Sequence, residues 1–78
     1  METVTVMYTL KTAREMSGYT QTEAAKKLGI SSDTLGNYER GRSYPDVSVL
    51  KKIESLYGIP YDRIIFLPLD YDKTVNMI

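Results

Sequence analysis

The chain of 78 residues contains no cysteine and no histidine. The first absence removes disulfides, thiolate metal sites and thiol nucleophiles; the second removes the imidazole base and ligand. Serine and aspartate are present, but no nucleophile is paired with an orienting base, so enzyme chemistry is not expected. No cofactor or metal is expected either. Net charge is also lacking: 10 basic residues balance 10 acidic ones. A general polyanion binder is usually strongly basic, so any nucleic-acid role rests on a local patch. The chain holds no apolar run near membrane-spanning length and no signal-peptide pattern, and it reads as a cytoplasmic protein without a membrane partner. There is no internal repeat and no low-complexity segment.

What is present fits one small domain. At this length about 60% of the unfolded surface is buried on folding, which favours a compact helical design. Residues 2–8, "ETVTVMY", alternate polar and apolar, with Val4, Val6 and Tyr8 on one face. They are compatible with a strand or with the start of a helix. From about Tyr8 to Ser17 the spacing is helical, through Leu10, Ala13, Arg14 and Ser17, and Gly18 closes the segment.

"YTQTEAAKKLG" (19–29) carries the strongest start signal: Thr20 followed three residues later by Glu23 is a capping box. Ala24, Ala25 and Leu28 form the inward face, and Gly29 ends the helix. Only Ile30 separates Gly29 from the next cap, Ser31, which opens a third short helix. Leu35 and Tyr38 are expected inward, with Ser32, Asp33, Gly36 and Asn37 on the other side. After the loop "RGRSYP", Asp46 caps a fourth helix, "VSVLKKIESLY", stopped by Gly58. Pro60 is expected to open a fifth, short helix through Asp62, Ile64, Ile65 and Phe66. The reading is therefore all-α: an N-terminal arm over 1–7, a five-helix domain over 8–66 and a tail over 67–78, the ends able to extend as arms. A second domain for ligand sensing or self-cleavage is not expected.

Two short helices joined by a Gly-containing turn form a helix-turn-helix. A two-turn helix is unstable alone. Clamped on one face, it leaves the other free to enter a DNA major groove about 12 Å wide. Its N-terminus carries unsatisfied amides suited to phosphate.

The ordered set of an Arg in helix 1, "TQ-x-E-x-A" opening helix 2, "LGIS" at the turn, "YE-x-G" after helix 3, then a Pro and an apolar helix resembles the phage repressor and Cro family, also called XRE. The similarity spans residues 8–66 and implies a lambda-repressor-like bundle that binds an operator in double-stranded DNA. It also implies roles by position. Gln21 corresponds to a glutamine that bonds phosphate and braces the recognition helix. Ser32, Asp33 and Asn37 fall at base-reading positions, with Gly36 between them. Ser31, Thr34, Arg40 and Arg42 fall where phosphate contacts are expected. Arg14 and Glu39 resemble a buried structural ion pair. Ala24 departs from the family, which usually has a larger aliphatic residue there; helix 2 then packs closer, or Tyr19 fills the gap.

Several residues carry two readings. Asp33 either favours the helix dipole or accepts from the N4 amino group of cytosine. Gly36 either permits close approach to DNA or is a tolerated defect. Asn37 can bond adenine bidentately, reach a phosphate or stay solvated. Ile64, Ile65, Phe66, Leu67 and Leu69, with Val4 and Val6 at one end and Val75, Met77 and Ile78 at the other, supply apolar material for a homodimer or cover the monomer's own core. The expected function is a sequence-specific regulator, a repressor of phage, prophage or plasmid type. The alternative is an interaction module of antitoxin or antirepressor kind, favoured by neutral charge and Asp33.

Overall fold

Thr9, Thr20, Ser31 and Asp46 each accept a hydrogen bond from the backbone N–H three residues on, and each sets the start of one helix. The computed structural model describes residues 6–66. In chain order these hold β1 (Tyr8–Thr9), α1 (Leu10–Met16), α2 (Gln21–Leu28), α3 (Ser32–Arg40), α4 (Val47–Tyr57), a 3-10 turn (Tyr61–Arg63) and β2 (Ile64–Ile65). The residues expected as a C-terminal tail, 67–78, lie outside the described residues, as does the arm over 1–7 except for residues 6 and 7.

The Thr20–Glu23 box is closed in both directions: Glu23 N–H donates to Thr20 Oγ1 at 3.1 Å, and Thr20 N–H donates to Glu23 Oε1 at 2.9 Å. These bonds hold the Glu23 carboxyl below its ordinary range. At the other end of α2, Gly29 adopts φ +76°, and its N–H returns to the last turn of the helix. This left-handed residue reverses the chain tightly enough for Ser31 to start α3 two residues later.

The core is built from Leu10 and Ala13 of α1, Ala24, Ala25 and Leu28 of α2, Leu35 of α3, Ile53 and Tyr57 of α4, and Ile64 of β2. Each is the inward position of its element, so four helices too short to persist separately share one apolar centre. Ala24 is wholly buried. Tyr19 packs against the same core, with its ring centroid 6.4 Å from that of Tyr57.

The fold departs from an all-α, five-helix bundle. The expected fifth helix is one 3-10 turn, without a side-chain cap at Pro60, followed by extended backbone at Ile64. Ile64 and Ile65 instead pair in parallel with Tyr8 and Thr9. Adjacent β-branched residues fit a pleated strand better than a helix. The same pairing resolves the open reading of the N-terminal segment in part: Tyr8 and Thr9 are strand, and α1 begins at Leu10. The two-residue ladder ties the start of the domain to its end, and Ile64 seals the core from that side.

Candidate nucleic-acid interface

α3 is fastened from behind by charge as well as by Leu35. Arg14 Nε donates to Glu39 Oε2 at 2.7 Å and Arg14 Nη2 to Glu39 Oε1 at 3.3 Å. Arg14 Nη1 donates to the Tyr19 carbonyl at 2.8 Å, and Gln21 Nε2 donates to Glu39 Oε1 at 3.2 Å. One carboxylate thereby receives donors from α1 and α2 while belonging to α3. The two charged side chains are only 8% and 5% exposed. A buried pair of this kind is tolerable because three guanidinium N–H groups are bonded and the carboxylate accepts three hydrogen bonds. The hydrogen bond to Glu39 raises the Arg14 pKa further above its ordinary value.

Behind this pair lies the Tyr57 hydroxyl, a buried polar atom with no hydrogen-bond partner among the described residues. Burial, then the nearby Glu39 carboxylate, push its pKa up to about 12. Nothing in the sequence marks Tyr57 as more than an apolar position of α4.

The front of α3 is open. Ser31 caps it, accepting from Thr34 N–H at 3.0 Å, with the two hydroxyls 2.8 Å apart. Asp33 is exposed in the first turn. Ser32 and Asn37 are half-buried, and Ser32 Oγ lies 3.5 Å from Thr22 Oγ1 at the front of α2. Arg40 and Arg42 are exposed. Arg42 N–H closes the end of the helix on the Asn37 carbonyl at 2.9 Å, leaving its side chain just past the helix.

Gly36 lies elsewhere than the sequence suggested. It is buried, not presented on the outer face. A Cβ at this position would stand 3.1 Å from Arg40 Nη1, 3.4 Å from Arg40 Nη2 and 3.5 Å from Gln21 Nε2. The guanidinium of Arg40 therefore lies across the glycine, and Arg40 Nη2 donates to Asn37 Oδ1 at 3.0 Å. Lys11, Arg14, Gln21, Gly36, Glu39 and Arg40 line one open concavity of about 440 Å³. Lys11 joins this group because it sits one turn before Arg14 on α1, a spacing visible in the sequence but easily read as peripheral. Among the described residues no helix is long and apolar enough to cross a membrane.

A capped helix bolted to its predecessor through a glycine turn, with donors gathered along its outer flank, defines the helix-turn-helix class. The chain belongs to the helix-turn-helix family, and within it to the XRE type: the family model matches residues 10–64. It is 46% identical over 56 residues to the HTH-type transcriptional regulator ImmR of Bacillus subtilis, covering 72% of this chain and 44% of that protein. It is 33% identical over 70 residues to the SPbeta prophage-derived HTH-type transcriptional regulator YonR of the same organism, covering 86% of this chain and 65% of that one. Against YazB, also of B. subtilis, identity is 34% over 55 residues, covering 70% and 80%. The chain thus spans less than half the length of ImmR and just under two thirds of YonR.

Proposed function

We propose that this protein is a sequence-specific DNA-binding transcriptional regulator that reads the major groove with α3. The observation that carries the reading is the division of α3 into two faces. Leu35 is buried in the core and the Glu39 carboxylate is tied to Arg14 and Gln21, while Asp33 and Arg40 are exposed and Asn37 is half-buried on α3, with Arg42 exposed just past its end. Gln21, Ser31, Thr34, Arg40 and Arg42 act as phosphate contacts that fix register, and Ser32, Asp33 and Asn37 face base edges. Gln21 suits this role because its amide also bonds Glu39, so a phosphate held there would be rigidly placed against α3.

The regulator acts as a cytoplasmic repressor of phage, prophage or plasmid type, blocking polymerase by occupying a promoter. The similarity to prophage-derived YonR supports that origin. One recognition helix contacts few bases, so a homodimer reading half-sites about 34–36 Å apart is the working form. Val6, Met7 and Ile65 are exposed apolar residues beside the β1–β2 pair and supply a seam for it; Val4, Leu67, Leu69, Val75, Met77 and Ile78 lie outside the described residues.

The test is retention on duplexes selected from a random pool, repeated across salt concentrations. Enrichment of a two-fold symmetric site, with affinity falling steeply with salt, is the expected result. Capture of a protein partner with no duplex enriched would overturn it in favour of an interaction module, the reading to which the exposed Asp33 and zero net charge lend support.

A further inference from the structure

Resting on the reading of α3 as the recognition helix, we infer that Asn37 and Arg40 form a single donor-rich unit that selects guanine over adenine. Asn37 taken alone is an adenine reader, because its amide offers one acceptor and one donor to adenine N6 and N7. Here that acceptor is already engaged: Arg40 Nη2 donates to Asn37 Oδ1 at 3.0 Å. A guanidinium cannot accept, so the amide oxygen must be the atom facing Arg40, and Asn37 Nδ2 is left as a donor for another partner. One lone pair of Oδ1 remains, but a base amino group approaching it would meet a cation that also presents only N–H. Adenine N6 is such an amino group. Guanine presents two acceptors, O6 and N7, in the same place.

Gly36 makes the arrangement possible. The guanidinium lies where a Cβ would come within 3.1 Å of Nη1 and 3.4 Å of Nη2. A Cβ there would require Arg40 Nη1 to give by a few tenths of an ångström, and a larger side chain would require more. A glycine within a nine-residue helix weakens that helix, and its burial under Arg40 gives it a purpose there. Arg40 is therefore a specificity residue as well as a charge near the backbone. Gln21 Nε2 lies 3.5 Å from the same Cβ position, so the unit sits close to the proposed phosphate contact.

The experiment is selection from a random duplex pool with the full chain as wild type, Asn37→Ala, Arg40→Ala, the double variant and Gly36→Ala, with folding followed by circular dichroism. Wild type is expected to enrich guanine at one position of each half-site by about tenfold over adenine. Asn37→Ala should lose that preference, Arg40→Ala should move the same position toward adenine by freeing the Asn37 acceptor, and the double variant should show neither preference. Gly36→Ala, which keeps the helix and asks Arg40 to give only slightly, should weaken the guanine preference at that position without reversing it. Adenine enrichment there by wild type would overturn the inference while leaving the proposed function intact. So would Arg40→Ala weakening all sequences equally with every preference retained, the behaviour of a phosphate contact. Failure of wild type to enrich any duplex would refute the proposed function, and this inference with it.

Discussion

Arg14 on α1 and Glu39 on α3 are joined by two hydrogen bonds, at 2.7 and 3.3 Å, in a place where neither side chain is more than 8% exposed. The pair acts as a brace. It sets the distance between the first helix and the recognition helix, and Gln21 and the Tyr19 carbonyl complete it. Arg14→Ala leaves the Glu39 carboxylate buried without its cation and is expected to destabilise the domain by about 3–5 kcal/mol. Replacing both partners by methionine should cost less than Arg14→Ala alone, since no charge is left stranded. Urea unfolding of the three variants measures this, and equal or greater loss in the double variant would refute the brace.

The unpartnered Tyr57 hydroxyl predicts a gain. Tyr57→Phe removes a buried polar atom that makes no hydrogen bond among the described residues, so at neutral pH the variant should be as stable as wild type or more stable by about 1 kcal/mol. The raised pKa gives a second signature. The folded state holds the phenol neutral up to about 12, while the unfolded chain ionises it near 10. Stability from this group is therefore complete below pH 10 and lost between about 10 and 12, a loss on the order of 2 kcal/mol. Tyr57→Phe should lack that part of the alkaline loss. Parallel alkaline profiles for the two proteins would count against it.

Gly36→Ala should raise stability. The new Cβ meets only the far ends of Arg40 and Gln21, which can move, and an alanine inside a helix is favoured over glycine by about 1 kcal/mol. For a domain of this size that gain corresponds to a rise of about 4–8 °C in melting temperature. A fall in melting temperature would mean that the Arg40 contact matters more to the fold than to recognition.

Asn37→Ala and Arg42→Ala should separate reading from anchoring. The first is expected to change affinity only at particular base pairs, by about 1–3 kcal/mol. The second should weaken all duplexes alike and reduce the slope of log affinity against log salt by about 1. Binding measured on matched, mismatched and unrelated duplexes at several salt concentrations distinguishes them, and uniform loss from Asn37→Ala would remove it from the base-reading set.

The helix starts were legible because capping is local. Thr20 with Glu23, Ser31 and Asp46 each satisfy backbone donors within one turn, so residue type at fixed spacing is enough. The inward face of α2 was legible for the same reason, since periodicity alone places Ala24, Ala25 and Leu28. The run Ile64–Ile65–Phe66 was not. A short apolar stretch suits a helix or a strand equally, and the choice fell to Tyr8 and Thr9 at the opposite end of the domain. Gly36 was misplaced because a helical wheel sees backbone positions only; the residues that cover it are a long side chain folding back from Arg40 and an amide from another helix.

By itself, then, the sequence determined the order of the four helices, the caps of the last three, and the pairing of a turn with a short third helix, because each depends on bonds made within a few residues. Tertiary structure decided the strand that replaces a fifth helix, the covering of Gly36, and the engagement of Asn37 by Arg40. Those depend on which surfaces meet in space, and on the room left where they meet.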